Sequence, residues 1–125
     1  MSYAVPVTEN RGQNASGEER VHGEGKITDL LDALDDPDCR AVLEATGERP
    51  LSAKEIVERC EIPTSTAYRK IERLVELDLL REGIRVRSTG NHAKEYSRRV
   101  EQVALSIDDG GTEVRIVERD AAPAP

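Results

Sequence analysis

The chain has 125 residues, with 25 acids against 18 bases, a formal net charge of −7, and 2 % aromatic residues with no Phe or Trp. That length gives one domain with room for short tails, and no stretch approaches the roughly 18 apolar residues of a membrane-spanning helix. Met1 to Gly25 lacks the apolar run of a secretory signal, which predicts a cytoplasmic protein, and two cysteines in the whole of such a chain, Cys39 and Cys60, do not make a disulfide scaffold.

Residues 1–25 hold Gly, Ser, Asn, Glu and Pro with no apolar period, and read as a disordered tail. Gly25-Lys26 is not a phosphate-binding loop. That motif needs Ser or Thr after the Lys and an earlier Gly, where this chain has Ile27 and Arg20. Residues 26–78 read as four helices. Ile27, Leu30, Leu31 and Leu34 share one helical face. Asp36-Pro37 offers an N-cap followed by Pro at the first helical position, and Cys39, Val42, Leu43 and Thr46 repeat the period up to a stop at Gly47. Ser52 and Glu55 have capping-box spacing, with Ala53, Ile56, Val57 and Cys60 inward. A fourth helix follows Glu61-Ile62-Pro63, with Ala67, Ile71, Leu74 and Val75 inward.

Residues 79–118 read as strands. Ile84-Arg85-Val86-Arg87 alternates apolar and basic residues, Ser88 to His92 is a turn, and Lys94 to Arg99 is the returning strand. Val103, Leu105 and Ile107, then Val114 and Ile116 after Asp108-Asp109-Gly110-Gly111, signal a second hairpin. Ala121 to Pro125 is a second short tail. The organisation expected is therefore a tail at 1–25, a helix-turn-helix and wing at 26–99, a β-hairpin extension at 100–120 and a tail at 121–125.

Two short helices, a tight turn and a β-hairpin make a winged helix-turn-helix, an α+β fold that is mainly α. Ser52 to Cys60 is the positioning helix and Thr64 to Leu77 the recognition helix. Pro63 disfavours helix at Ile62, so the chain breaks there. The outward face of the recognition helix carries Thr64, Ser65, Tyr68, Arg69, Glu72 and Arg73. Short hydroxyls allow close approach to phosphates and bases, and Arg69 has the planar fork that suits guanine edges. On the wing, Arg85, Arg87 and Lys94 are placed for phosphate or minor groove, with Asn91 and His92 at the tip. The candidate DNA-binding set is Thr64, Ser65, Tyr68, Arg69, Arg73, Arg85, Arg87, Asn91, His92 and Lys94.

At these residues the chain resembles a known family. Leu34 to Leu43 is similar to the second-helix region of ArsR-type winged-helix regulators, and Pro50 to Arg81 (PLSAKEIVERCEIPTSTAYRKIERLVELDLLR) to their helix-turn-helix and first wing strand. The resemblance covers roughly residues 27–99. It implies a DNA-binding transcriptional regulator, usually dimeric, with base-reading positions at Thr64, Ser65, Tyr68 and Arg69. Metal-sensing members carry paired cysteines in the positioning helix, whereas this chain has Cys60 alone there. The chain also has 14 Arg against 4 Lys. Acid excess, scarce Lys and few aromatics resemble proteins of halophilic microbes, and small ArsR-like regulators of halophilic archaea look most similar.

The negative total by itself argues against a nucleic-acid partner, but its distribution does not. Residues 64–99 carry nine bases against five acids, a net +4; the remaining nine bases meet twenty acids, a net −11. Positive charge is thus concentrated on the recognition helix and wing. Cys39 and Cys60 sit on apolar stripes and read as buried thiols. With two His and two Cys on separate elements, no zinc site is expected, and no cofactor is implied. No nucleotide loop or nucleophile elbow points to an enzyme. The function expected is sequence-specific double-stranded DNA binding by a transcriptional regulator, as a homodimer joined through helix one or the last hairpin. The alternative is a winged helix that binds protein as an adaptor, which a neutral or acidic recognition face would favour.

Overall fold

Side-chain caps set the starts of two of the four helices. In the computed structural model, which describes residues 17–120, Asp36 caps helix α2 (Pro37–Ala45) by accepting a 2.8 Å hydrogen bond from the Asp38 amide. Helix α1 (Glu24–Asp35) ends immediately before it. Helix α3 (Ala53–Cys60) opens with the full capping box: Ser52 Oγ accepts from the Glu55 amide at 3.2 Å, and Glu55 Oε1 accepts from the Ser52 amide at 2.8 Å. It stops at Glu61, whose left-handed φ of 56° turns the chain. Pro63 then starts helix α4 (Thr64–Glu76).

Strands β2 (Leu80–Val86) and β3 (His92–Arg98) form the wing in antiparallel register, with Ile84 opposite Lys94 and Glu82 opposite Tyr96. Leu51 adds a short third rung by exchanging two backbone hydrogen bonds with Tyr96, at 2.9 and 2.7 Å. The loop before α3 is thereby tied to the wing. The second sheet has the order β1-β5-β4, from β1 (Glu18–Val21), β4 (Val100–Asp108) and β5 (Gly111–Glu118). Gly111, at φ 109°, takes a turn conformation that other residues adopt only under strain.

These elements bear out the winged helix-turn-helix, with four helices and two antiparallel hairpins. One apolar cluster runs from Ile27, Leu30 and Ala33 through Val42, Ile56, Ile71 and Leu74 to Tyr96, Val100, Val114 and Ile116. The last hairpin packs on that shared core through Val100, Val114 and Ile116. The tail expected at 1–25 needs correction over 17–25. Residues 18–21 are a strand and α1 begins at Glu24, while residues 1–16 and the tail at 121–125 lie outside the described residues. β1 pairs with β5, Val21 opposite Val114, and Val21 is buried. One apolar residue in a four-residue strand has no period to detect, and the partner that orders it lies at the other end of the chain. The wing strands also start earlier than expected, at Leu80 and His92. No helix among the described residues is long and apolar enough to cross a membrane.

Candidate nucleic-acid interface

Ala67, Ile71 and Leu74 seat α4 in the core. That leaves Thr64, Ser65, Tyr68, Arg69, Glu72 and Arg73 exposed on the opposite face, as the spacing predicts. Pro63, the N-cap residue, offers α4 no capping side chain, and no side chain among the described residues bonds the amides that open the helix. Its first amides therefore stand free beside the Thr64 and Ser65 hydroxyls, the arrangement that receives a phosphate oxygen at a helix start. Behind this face Lys70 pairs with Asp36, the α2 cap, and the pairing holds the Asp36 carboxyl below its usual range. Helix α4 is thus pinned to α2 by an ion pair on the side away from its exposed face.

The candidate residues fall into groups. Thr64 and Ser65 stand at the helix start. Tyr68, Arg69 and Lys94 come together around a cleft of about 340 Å³ between α4 and the wing, walled also by Glu72, Glu82 and Tyr96. Tyr68 is 55 % exposed, whereas Tyr96 packs the wing onto the helices as expected, and burial pushes its hydroxyl pKa up. Arg87, Asn91 and His92 are exposed at the wing tip. Arg73 lies about 13 Å further along α4 than Thr64 and leans toward α1, with Nη2 3.4 Å from the Asp29 carbonyl oxygen.

Arg85, expected along phosphate or minor groove, has its guanidinium engaged within the protein. Its Nη2 and Nη1 donate to Glu55 Oε1 and Oε2 at 2.9 and 3.3 Å, its Nε donates to Glu95 Oε1 at 2.9 Å, and Nη2 reaches the Pro50 carbonyl at 3.4 Å. The two carboxylates raise the Arg85 pKa, and Arg85 pulls the Glu55 carboxyl down to about 2. The strand pleat explains the inversion. Residues 84 and 86 point to one side and 85 and 87 to the other, and the 85 side faces α3. Ile84 and Val86 are consequently the exposed pair, at 58 and 75 %. The capping-box spacing had singled out Glu55, but only as a helix cap; its second role is invisible without the fold.

The charge distribution sharpens accordingly. Of the nine bases in residues 64–99, Lys70, Arg85, Lys94 and Arg99 have carboxylate partners among the described residues, Lys94 loosely at 3.8 Å from Glu82. Arg69, Arg73 and Arg87 are exposed with none. Cys39 is buried and Cys60 half-buried, and burial raises both thiols, opposite to the shift that makes a reactive thiolate. No three His, Cys, Asp or Glu side chains gather to hold a metal ion among the described residues.

Residues 34–83 match the family model of a helix-turn-helix domain. The matched span runs from the end of α1 through the helix-turn-helix into β2. No curated protein matches the chain. Among solved structures, the chain is similar to the crystal structure of NolR from Sinorhizobium fredii. Identity is 14 %, the TM-score is 0.49, and the match covers 59 % of this chain and 69 % of that one.

Proposed function

We propose that this chain is a transcriptional regulator of the ArsR-like kind that binds double-stranded DNA in sequence-specific fashion, not an enzyme. In this reading α4 enters the major groove, where Thr64, Ser65, Tyr68 and Arg69 meet bases and phosphates. Arg87, Asn91, His92 and Lys94 lie along phosphate or minor groove, and Arg73 meets the flanking backbone. The observation that carries the reading is the exposed hydroxyl and arginine face of α4, beside a wing tip whose Arg87 has no carboxylate partner among the described residues. The helix-turn-helix match over 34–83 supports it. The protein works as a homodimer reading two half-sites in a cytoplasm rich in salt, to which its acid excess and scarce Lys are suited.

Exposed Ile84 and Val86 favour a second reading, a winged helix that docks a protein partner through the wing. Selection of binding sites from a random duplex library separates the two. A DNA-reading protein enriches a motif. Arg69→Ala then weakens binding by about 1–3 kcal/mol and relaxes preference at one position. No enriched motif, or an unchanged site in the Arg69 variant, removes the assignment.

A further inference from the structure

Arg85 carries a role that neither the fold nor the match assigns. It extends from the wing strand β2 and bridges two carboxylates on different elements, Glu95 on β3 and Glu55 on α3. All three side chains are half-buried, so water screens the charges only in part. Glu55 receives Arg85 in a two-pronged pair, the geometry that fixes orientation as well as distance. The same Glu55 Oε1 also accepts the Ser52 amide that starts α3. The backbone adds one further tie at this seam, the Leu51–Tyr96 rung. Beyond that rung the wing is a two-stranded ribbon, and such a ribbon is marginal on its own.

We propose that Arg85 is a positioning residue: through Glu55 it locks the wing to the start of the positioning helix, so that wing and recognition helix meet DNA as one rigid surface. The lock makes no DNA contact itself. This inference rests on the DNA-binding reading, and the test keeps the two separable.

Glu55→Gln is the informative change, because Gln serves a capping box as well as Glu does while the charge partner of Arg85 is lost. If Arg85 locks the wing, Glu55→Gln weakens binding to a selected site about three- to tenfold, the size expected for losing a half-buried charge-assisted pair. Glu95→Gln removes the same charge without cutting the link to α3, and leaves binding unchanged or tighter. Arg85→Ala weakens binding to the same degree as Glu55→Gln, the double variant is no worse than either single, and the slope of log affinity against log salt stays as in the unaltered protein. The opposite role predicts opposite signs. A phosphate-contacting Arg85 freed by Glu55→Gln would tighten binding, and Arg85→Ala would flatten the slope by about one; either result overturns the lock.

Amide hydrogen exchange in β2 and β3 supplies a readout independent of DNA. Faster exchange there in Glu55→Gln but not in Glu95→Gln supports the lock even if the protein binds no duplex. Unchanged wing exchange in both variants overturns it, whatever the DNA result.

Discussion

At Gly47 a hydrogen stands where any other residue would place a carbon. A Cβ there would lie 2.5 Å from Arg98 Nη1 and 2.7 Å from its Cζ, and no left-handed φ is involved. The glycine leaves room for the Arg98 guanidinium, and a larger residue would have to displace that flexible side-chain end. Arg98 passes over it to the end of α2, where Nη1 lies 3.5 Å from the Leu43 carbonyl oxygen, and Arg119 Nη1 donates to the Gly47 carbonyl at 3.0 Å. Helix α2 has no basic residue in its own last turn, so these arginines supply the positive charge that a helix end favours. Gly47→Ala should therefore lower the unfolding free energy by about 1 kcal/mol in denaturant titrations. In an Arg98→Ala background the same change should be neutral or slightly stabilising, since only the loss of chain freedom remains. An equal loss in both backgrounds would show that Arg98 is not what the glycine accommodates. The sequence marked Gly47 as a helix stop. The position is right and the cause is not, because the side chain that needs the space comes from β3.

Elements with local causes were legible and those with distant causes were not. The four helices follow from 3.6-residue periods contained in each segment, helped in α2 and α3 by the caps at Asp36-Pro37 and Ser52-x-x-Glu55. β1 had no such signature, and the direction of Arg85 depended on which side of β2 faces α3. The outer edge of β4 raises a question of the same kind. β4 ends the sheet order β1-β5-β4, so its far edge has no strand beside it among the described residues. By register Leu105 and Ile107 share a face with buried Val114, yet both are exposed, Ile107 at 75 %. A long edge strand with uncovered apolar residues invites pairing unless it is protected. The proposed homodimer would place this edge, or Leu31 on α1, in its seam. Ile107→Asp should leave the thermal transition close to its original midpoint, because the side chain contributes little to the core. It should weaken dimerisation about tenfold or more, read as mass by light scattering across a dilution series. A chain that is already monomeric before substitution at all concentrations ends the dimer proposal.

At the scale of the whole molecule, net charge and ligand charge have to be separated. The acid excess lies mainly outside residues 64–99, and part of it is held in surface pairs such as Arg20–Glu113 and Arg119–Glu101. Acids nevertheless reach the proposed interface, where Glu72, Glu76 and Glu82 wall the cleft beside Arg69 and Lys94. Docking DNA against that wall brings carboxylates toward phosphates. Cations released by Arg69 and Arg87 would then be matched by cations taken up between the acids and the backbone. Ordinary counterion release gives a slope of log affinity against log salt of about −0.9 for each phosphate neutralised. Here the uptake opposes the release, so affinity for a selected site should fall unusually little, or rise, as KCl increases toward 1 M, where the Debye length is only about 3 Å. Glu72→Gln together with Glu76→Gln should restore a steeper decline, because the acids that take up the cations are gone while every basic contact remains. A steep decline in the unaltered protein would remove the salt-adapted reading and leave the helix-turn-helix intact, since the face of α4 proposed to read DNA owes nothing to the charge of the rest of the chain.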